Sequence, residues 1–263
     1  MKQHGPCDYW MLFCHTRPGI RARLLLVFAL VGLLSTPLSA AEKLVLNAGS
    51  AAPFVRADGN GFYDLLVKEL FRRMDMEAEV ITLPSERALL NANAGIEDGN
   101  IARTRGIEKK YTNLVRVPGK VVDFEFMVFT DKADFPVTGW DSLKPYDVGF
   151  ITGWKILEKN VTGARSTTRV RSRKQLFALL DNRRVDIVLH DRWGGLWWLQ
   201  QHPENIHYLE PPVATRELFL YLNKKHEDLV PLAASTLAAM KQDGEYQRIF
   251  DLTLKPLLQS VDH

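Results

Sequence analysis

A weak internal duplication limits the possible folds of this chain more than any other feature of its sequence. In the first copy, residues 83–90 start an amphipathic helix, and a short turn leads to Asp98 and a strand that ends at Arg103. In the second copy, which lies 88 positions later, a similar helix leads to Asp186 and a strand that ends at Asp191. The duplication predicts two units of similar plan, each offering one charged strand-end residue to a shared cleft. The alternative is a chance likeness between two ordinary helix–strand units.

The order of elements near the start predicts a parallel sheet. Residues 43–48 form a strand-like run, apolar residues recur at helical spacing over 62–74, and residues 78–83 form another extended run. Strand, loop, helix and strand in this order are typical of α/β proteins, in which ligands bind beyond the carboxyl ends of the strands. Ser50 and Phe54, in the loop after the first strand, are therefore candidate ligand contacts.

Two longer extended runs, 121–130 and 218–223, flank the second copy of the duplication. They predict a double crossover in which residues 42–130 and 216–263 form lobe 1 and residues 131–215 form lobe 2. Because no Ser/Gly-rich linker joins the lobes, we expect a hinge between them rather than a flexible tether.

The amino terminus has the features of an export signal. Arg17, Arg21 and Arg23 precede an apolar run over residues 24–34, and small residues follow at 39–41. A membrane anchor is the alternative, but a spanning helix needs about 20 apolar residues. We therefore predict a signal peptide over residues 1–41 and a periplasmic mature protein.

Removing this segment changes what the composition implies. Both cysteines, Cys7 and Cys14, lie within it, so the predicted mature chain has no disulfide or cysteine metal site. The segment carries four basic residues and one acidic residue, so 30 of the 34 basic and 30 of the 31 acidic residues remain. A neutral mature protein is a poor candidate for binding nucleic acid, which relies on basic surface.

Several weak motifs occur in a characteristic order between Leu44 and about Pro256. They are Ala52-Pro53-Phe54, Gly61-Phe62-Tyr63-Asp64-Leu65, the turn and Asp unit at 95–98, Tyr146-Asp147-Val148-Gly149-Phe150, Val185 to Asp191, and Asp243 to Phe250. In this order the chain resembles the family 3 periplasmic solute-binding proteins of amino-acid ABC transporters, as a divergent member. The resemblance implies a type II periplasmic-binding-protein fold, with two Rossmann-like lobes and a double-crossover hinge, that closes on a small polar ligand.

The resemblance also implies two ligand anchors. In many family members an arginine after the lobe-1 Asp unit holds a ligand carboxylate, and an aspartate that ends the lobe-2 unit holds its amine. Arg103 and Asp191 occupy these places here. The family's Thr-x-x-Arg motif does not follow the lobe-1 unit, where residues 103–110 have no Thr three before an Arg, so either Arg103 or Arg105 can take the carboxylate role; the duplication favours Arg103. A solvent-exposed loop arginine, and a salt bridge between Asp191 and Arg192, are the purely structural alternatives.

Further candidates lie at other strand ends. Arg87 follows the run that ends at residue 83, where a strand gives way to a helix. Thr152, Gly153 and Trp154 follow a strand in lobe 2, where backbone amides can bind an anion and the indole can wall the cleft. The alternative is a capping threonine beside a core tryptophan. Trp193, two positions after Asp191, is the last candidate contact.

The sequence lacks common catalytic motifs. It contains no His-Glu-x-x-His, Gly-x-Ser-x-Gly, P-loop or Gly-x-Gly-x-x-Gly pattern, and its histidines lack metal-ligand spacing. We therefore predict a monomeric binding protein without cofactor or metal, working with a membrane permease or, equally, a membrane sensor. The rival is a dehydratase-like enzyme on the same fold, with Glu86 or Asp191 as general acid.

Overall fold

The structure is a computed structural model that describes residues 43–202 and 205–259. The predicted signal peptide, with Cys7 and Cys14, lies outside these residues. Among the helices that the structure describes, none combines the length and the apolar character needed to cross a bilayer.

The described residues form one mixed sheet. Its strands are β1 (Leu44–Ala48), β2 (Ala78–Thr82), β3 (Gly99–Thr104), β4 (Leu114–Arg116), β5 (Val122–Thr130), β6 (Asp147–Ile151), β7 (Ser166–Val170), β8 (Ile187–Asp191) and β9 (His207–Asn223). Their order across the sheet is β2-β1-β3-β9-β5-β8-β6-β7, and β4 pairs separately with β9.

Helices connect these strands and follow β9. They are α1 (Phe62–Arg72), α2 (Ser85–Ala94), α3 (Lys155–Asn160), α4 (Arg173–Asp181), α5 (Arg192–Gln201), α6 (Val230–Gln242), α7 (Glu245–Thr253) and α8 (Pro256–Gln259). Short 3-10 turns cover Ile107–Lys109, Trp140–Leu143 and Lys224–Leu229.

The two ends of the sheet repeat one plan, which confirms the prediction of two similar units. β1 pairs in parallel with β2 and β3, and β6 pairs in parallel with β7 and β8. The aspartate before the third strand also makes the same bond in each copy. Asp98 accepts a hydrogen bond from the Val45 amide at 2.7 Å, and Asp186 accepts one from the Asp147 amide at 3.0 Å. Each carboxylate thus ties the third strand of its unit to the start of the first.

The middle of the sheet is built from the two long runs that the sequence predicts as crossovers. β5 and β9 pair antiparallel from Val122 opposite Leu218 to Thr130 opposite His207. The largest buried apolar cluster unites β1, α1 and the carboxyl-terminal helices, whereas two others surround β5, β6 and β8. Trp193 and Leu196 of α5 join the first of these clusters although they follow β8 in the chain.

Candidate ligand-binding cleft

A cleft of about 390 Å³ opens where strand ends from both halves of the sheet meet β5 and β9. Its walls combine apolar, aromatic and cationic side chains. The lining residues are Gly49, Ser50, Ser85, Glu86, Leu89, Ala102, Arg103, Thr104, Ile107, Lys110, Tyr111, Phe124, Phe126, Gly153, Trp154, Lys155, Ile156, Arg216 and Leu218.

An irregularity in β3 positions Arg103 in this cleft. The pairing of β3 with β9 shifts register between Asn100 and Arg103, and Ala102 adopts a left-handed conformation with φ of 73°. Such a bulge re-aims the side chains that follow it, and alanine takes this conformation only at a cost in free energy. Gly49 leaves room on the other side, because a Cβ there would lie 3.0 Å from Arg103 Nη2.

Arg103 is a largely desolvated cation held by neutral groups. Its Nε donates to Asn100 Oδ1 at 2.8 Å, Nη1 donates to Ser85 Oγ at 2.8 Å, and Nη2 donates to the Ser85 carbonyl at 2.9 Å. Burial lowers the pKa of Arg103 to about 10. Within residues 43–202 and 205–259 no carboxylate pairs with it. Three of the five guanidinium N–H groups are engaged, so two remain for an acceptor in the cleft.

Other charged side chains make the cleft cationic. Lys110, Lys155 and Arg216 line it together with Arg103, whereas Glu86 is the one acidic residue in its described lining. Lys155 Nζ contacts Glu158 at 2.9 Å. The pKa of Lys155 is raised, chiefly by this hydrogen bond and in part by the charge of Glu86. Four cations facing one carboxylate favour an anionic ligand.

Aromatic side chains form the apolar wall. The ring centroid of Trp154 lies 5.9 Å from that of Phe124 and 6.0 Å from that of Phe126, both in edge-on geometry. On its other side Trp154 lies 4.9 Å from His190. Phe124 and Phe126 share one face of β5 because alternate strand residues point the same way. Trp154 therefore lines the cleft, as expected of a wall residue, and also packs against other rings, as expected of a core residue.

The loop after β6 does not offer free amides to an anion. The amide of Thr152 donates to the Val170 carbonyl at 2.8 Å, and that of Gly153 donates to Glu158 Oε1 at 2.8 Å. The amide of Trp154 donates to the Ile151 carbonyl at 3.4 Å. Gly153 and Trp154 line the cleft, but the exposed Thr152 does not. The expectation of an amide-built anion site in this loop is therefore wrong for this conformation.

Asp191 is enclosed rather than presented to the cleft. It is the N-cap of α5 and accepts a hydrogen bond from the Gly194 amide at 2.7 Å. Its other carboxylate oxygen lies 2.9 Å from His190 Nδ1, and its side chain is 6% exposed. Burial acts to raise the pKa of Asp191, but the charges of His190 and Arg173 and its hydrogen bonds lower it overall. The Asp191 carboxylate does not line the cleft, and Arg192 pairs with Glu125 and Glu210 instead.

The remaining predicted contacts divide between cleft, core and surface. Ser50 lines the cleft. Phe54 is 1% exposed and stacks on Tyr63 at 4.7 Å, so it belongs to the core. Trp193 is buried, with its ring edge-on to Phe250 at 5.4 Å. Arg87 is exposed and lies outside the lining. The structure thus brings together Ser50, Arg103, Gly153 and Trp154.

Sequence reasoning missed the residues that the crossing strands and adjacent turns contribute. Phe124 and Phe126 of β5, and Arg216 of β9, line the cleft between the halves. The β5 run could have predicted this. A strand that crosses between the two units passes beneath the cleft, and the alternate residues on one of its faces can line it. Lys110 and Tyr111 also line the cleft. They come directly after a short 3-10 turn that no sequence motif predicted.

No protein-family model matches the chain. An uncharacterized protein of Shewanella oneidensis is 27% identical over 178 residues, which are 63% of this chain and 66% of that protein. The match thus spans slightly less than two thirds of that relative's length.

Solved structures resemble the chain more completely. An ancestral arginine-binding protein bound to arginine has a TM-score of 0.67 and 18% identity over 80% of this chain and 97% of its own. The amino acid ABC transporter substrate-binding protein AbpA from Streptococcus pneumoniae, bound to L-arginine, has a TM-score of 0.65 and 16% identity, covering 84% and 97%. The GluR0 ligand-binding core from Nostoc punctiforme, in complex with L-glutamate, has a TM-score of 0.66 and 15% identity, covering 80% and 98%. The chain therefore has the type II periplasmic-binding-protein fold.

Proposed function

We propose that the chain is an exported, monomeric solute-binding protein that captures a small carboxylate-bearing molecule between two hinged lobes. Lobe 1 comprises residues 42–130 and 216–263, and lobe 2 comprises residues 131–215. A membrane permease or a membrane sensor reads the closed form. The observation that carries this proposal is Arg103, a desolvated cation in the cleft with no carboxylate partner among the described residues.

The energetics of Arg103 favour a ligand carboxylate. Removing a guanidinium from water without a counter-ion is unfavourable, and three neutral hydrogen bonds compensate only in part. A carboxylate can accept the two remaining N–H groups and supplies the missing charge. Closing the lobes strengthens this contact, because the effective dielectric constant falls as water leaves.

Binding without chemical change is favoured over a dehydratase-like reaction. The sequence offers two candidates for the general acid. Asp191 is the N-cap of α5 and does not line the cleft, and Glu86 lines the cleft without a second acidic residue beside it in the described lining. NMR of a ligand incubated with the protein tests this point. A binder returns the ligand with an unchanged spectrum, whereas loss of water from the ligand would establish the rival.

Calorimetric titration of the purified protein with a panel of small carboxylates tests the proposed site. We expect Arg103→Ala to weaken binding by about 100-fold, because truncating one partner of a buried charge pair costs about 2–5 kcal/mol. Arg105→Ala is the matched control, since Arg105 is exposed and pairs with Glu217 at 3.3 Å. The proposal fails if Arg103→Ala binds as tightly as the wild type, or if no carboxylate binds.

A further inference from the structure

The surroundings of Asp191 indicate which carboxylate-bearing ligands the cleft can bind. The family resemblance assigns the ligand's amine to this aspartate. In the structure its two oxygens already contact the Gly194 amide at 2.7 Å and His190 Nδ1 at 2.9 Å. An ammonium group needs acceptors that it can reach, and this carboxylate is buried and does not line the cleft.

Arg173, the first residue of α4, is a cation whose charge acts on Asp191. Its Nη2 donates to the carbonyl of Ala52 at 2.7 Å, which joins α4 to the loop after β1. Burial lowers the pKa of Arg173, and the charge of Asp191 partly opposes that effect. The Arg173 guanidinium thus engages a loop carbonyl directly, and its positive charge acts on Asp191.

Of the two unpartnered atoms nearby, one suits an acceptor rather than an ammonium, and the other, a tyrosine hydroxyl, can donate or accept. Arg173 Nε is buried without a hydrogen-bond partner in the described chain, and it can only donate. Tyr63 Oη is likewise unpartnered, and it lies close enough to Asp191 and Arg103 for their charges to act on it. A second positive charge brought to this region would meet Arg173 and Arg103, both cations.

The rest of the cleft gives the ligand body its character. Phe124, Phe126 and Trp154 form an apolar wall in the cleft that Arg103 also lines, and Lys155 stands at the start of α3. Apolar walls with a few convergent charged groups fit a ligand that has an anionic end and an apolar body.

We infer that the cleft selects carboxylates that lack an α-ammonium group, because both oxygens of the buried Asp191 are already engaged within the protein and the cationic lining of the cleft disfavours a further positive charge. This inference rests on the proposed function and specifies its ligand class. The carboxylate binds Arg103, the apolar body lies against Trp154 and the two phenylalanines, and no ligand amine is required.

Matched pairs of ligands test the inference by calorimetric titration of the wild-type protein. Each pair contains an amino acid and the same acid without its amine: L-phenylalanine and 3-phenylpropionate, L-glutamate and glutarate, L-arginine and 5-guanidinopentanoate. We expect the deaminated member of any pair that binds to bind at least tenfold more tightly. Amino acids that bind as tightly as their partners would overturn the inference and leave the proposed function standing. Failure of these ligands and of the wider carboxylate panel would overturn both.

A substitution of Arg173 provides a second, independent test of the inference. In Arg173→Ala the Ala52 carbonyl and the Asp191 region lose their internal cation, so the preference for deaminated ligands should fall by at least tenfold. Lys174→Ala is the control, since Lys174 is exposed and adjacent in sequence. An unchanged preference in a folded Arg173→Ala protein would overturn the inference. If Arg173→Ala does not fold, the ligand pairs on the wild type decide.

Discussion

The two copies of the duplicated unit end their third strands in opposite ways. At the end of β3, Arg103 faces a cleft and has only neutral partners. At the end of β8, Asp191 is enclosed and has a backbone donor, a histidine and a nearby arginine. The same place in the fold therefore presents an unsatisfied charge in one copy and a satisfied charge in the other.

The segment that comes after each strand accounts for the difference. β8 runs directly into α5, whose first amides need acceptors, and Asp191 serves as its N-cap. β3 bulges and leads into a turn and a short 3-10 segment, so no helix start engages Arg103. Equivalent positions in a duplicated fold can thus separate into a structural role and a ligand role.

The largest expected effect contrasts the stability of the two sites. Asp191→Ala should lower the free energy of unfolding by about 3–5 kcal/mol, because it breaks a buried charge cluster and removes a helix cap. Arg103→Ala should change it by no more than about 1 kcal/mol, since relief of an uncompensated charge offsets the lost hydrogen bonds. Urea denaturation without ligand measures both values. Equal losses at the two positions would contradict the assignment of opposite roles.

The aspartate also predicts an acid dependence. Because the folded-state pKa of Asp191 lies below its unfolded value of about 3.9, its stabilisation is fully present above about pH 4 and is lost as the pH falls through the lower folded value. Asp191→Asn should therefore lose less stability than the wild type as the pH falls below about 4. If both proteins lose the same free energy of unfolding as the pH falls, the protonation of Asp191 is not coupled to folding.

The sequence allowed the fold to be predicted further than the site. The repeat of helix, turn, aspartate and strand could be recognised because Asp98 and Asp186 make the same local bond in each unit. The enclosure of Asp191 also had a local signal, since Asp before Arg-Trp-Gly-Gly is typical of a helix start. Contacts between distant segments, such as Arg173 with Ala52, left no local pattern in the sequence.

A third, smaller prediction tests the likeness between the copies. Asp98→Asn and Asp186→Asn should each lower the free energy of unfolding by about 1–2 kcal/mol, because each weakens a charged hydrogen bond to the first strand. Each aspartate also pairs with a lysine, Lys225 in one copy and Lys132 in the other. Urea denaturation of both variants provides the comparison. An effect at only one of the two would indicate that the bonds are not equivalent.

The smallest expected effect concerns Glu86, the one acid in the described cleft lining. Glu86→Gln removes a negative charge from beside Lys155 and should strengthen the binding of a deaminated carboxylate by about two- to fivefold, as for an exposed charge pair worth up to about 1 kcal/mol. Glu77→Gln is the control, because Glu77 is exposed and precedes β2, whereas the cleft lies at the carboxyl ends of the strands. Titration of both variants with 3-phenylpropionate at low ionic strength measures the difference. An unchanged or weaker affinity in Glu86→Gln would contradict a repulsive effect of Glu86 on the ligand, because 3-phenylpropionate has no hydrogen-bond donor that this carboxylate could accept.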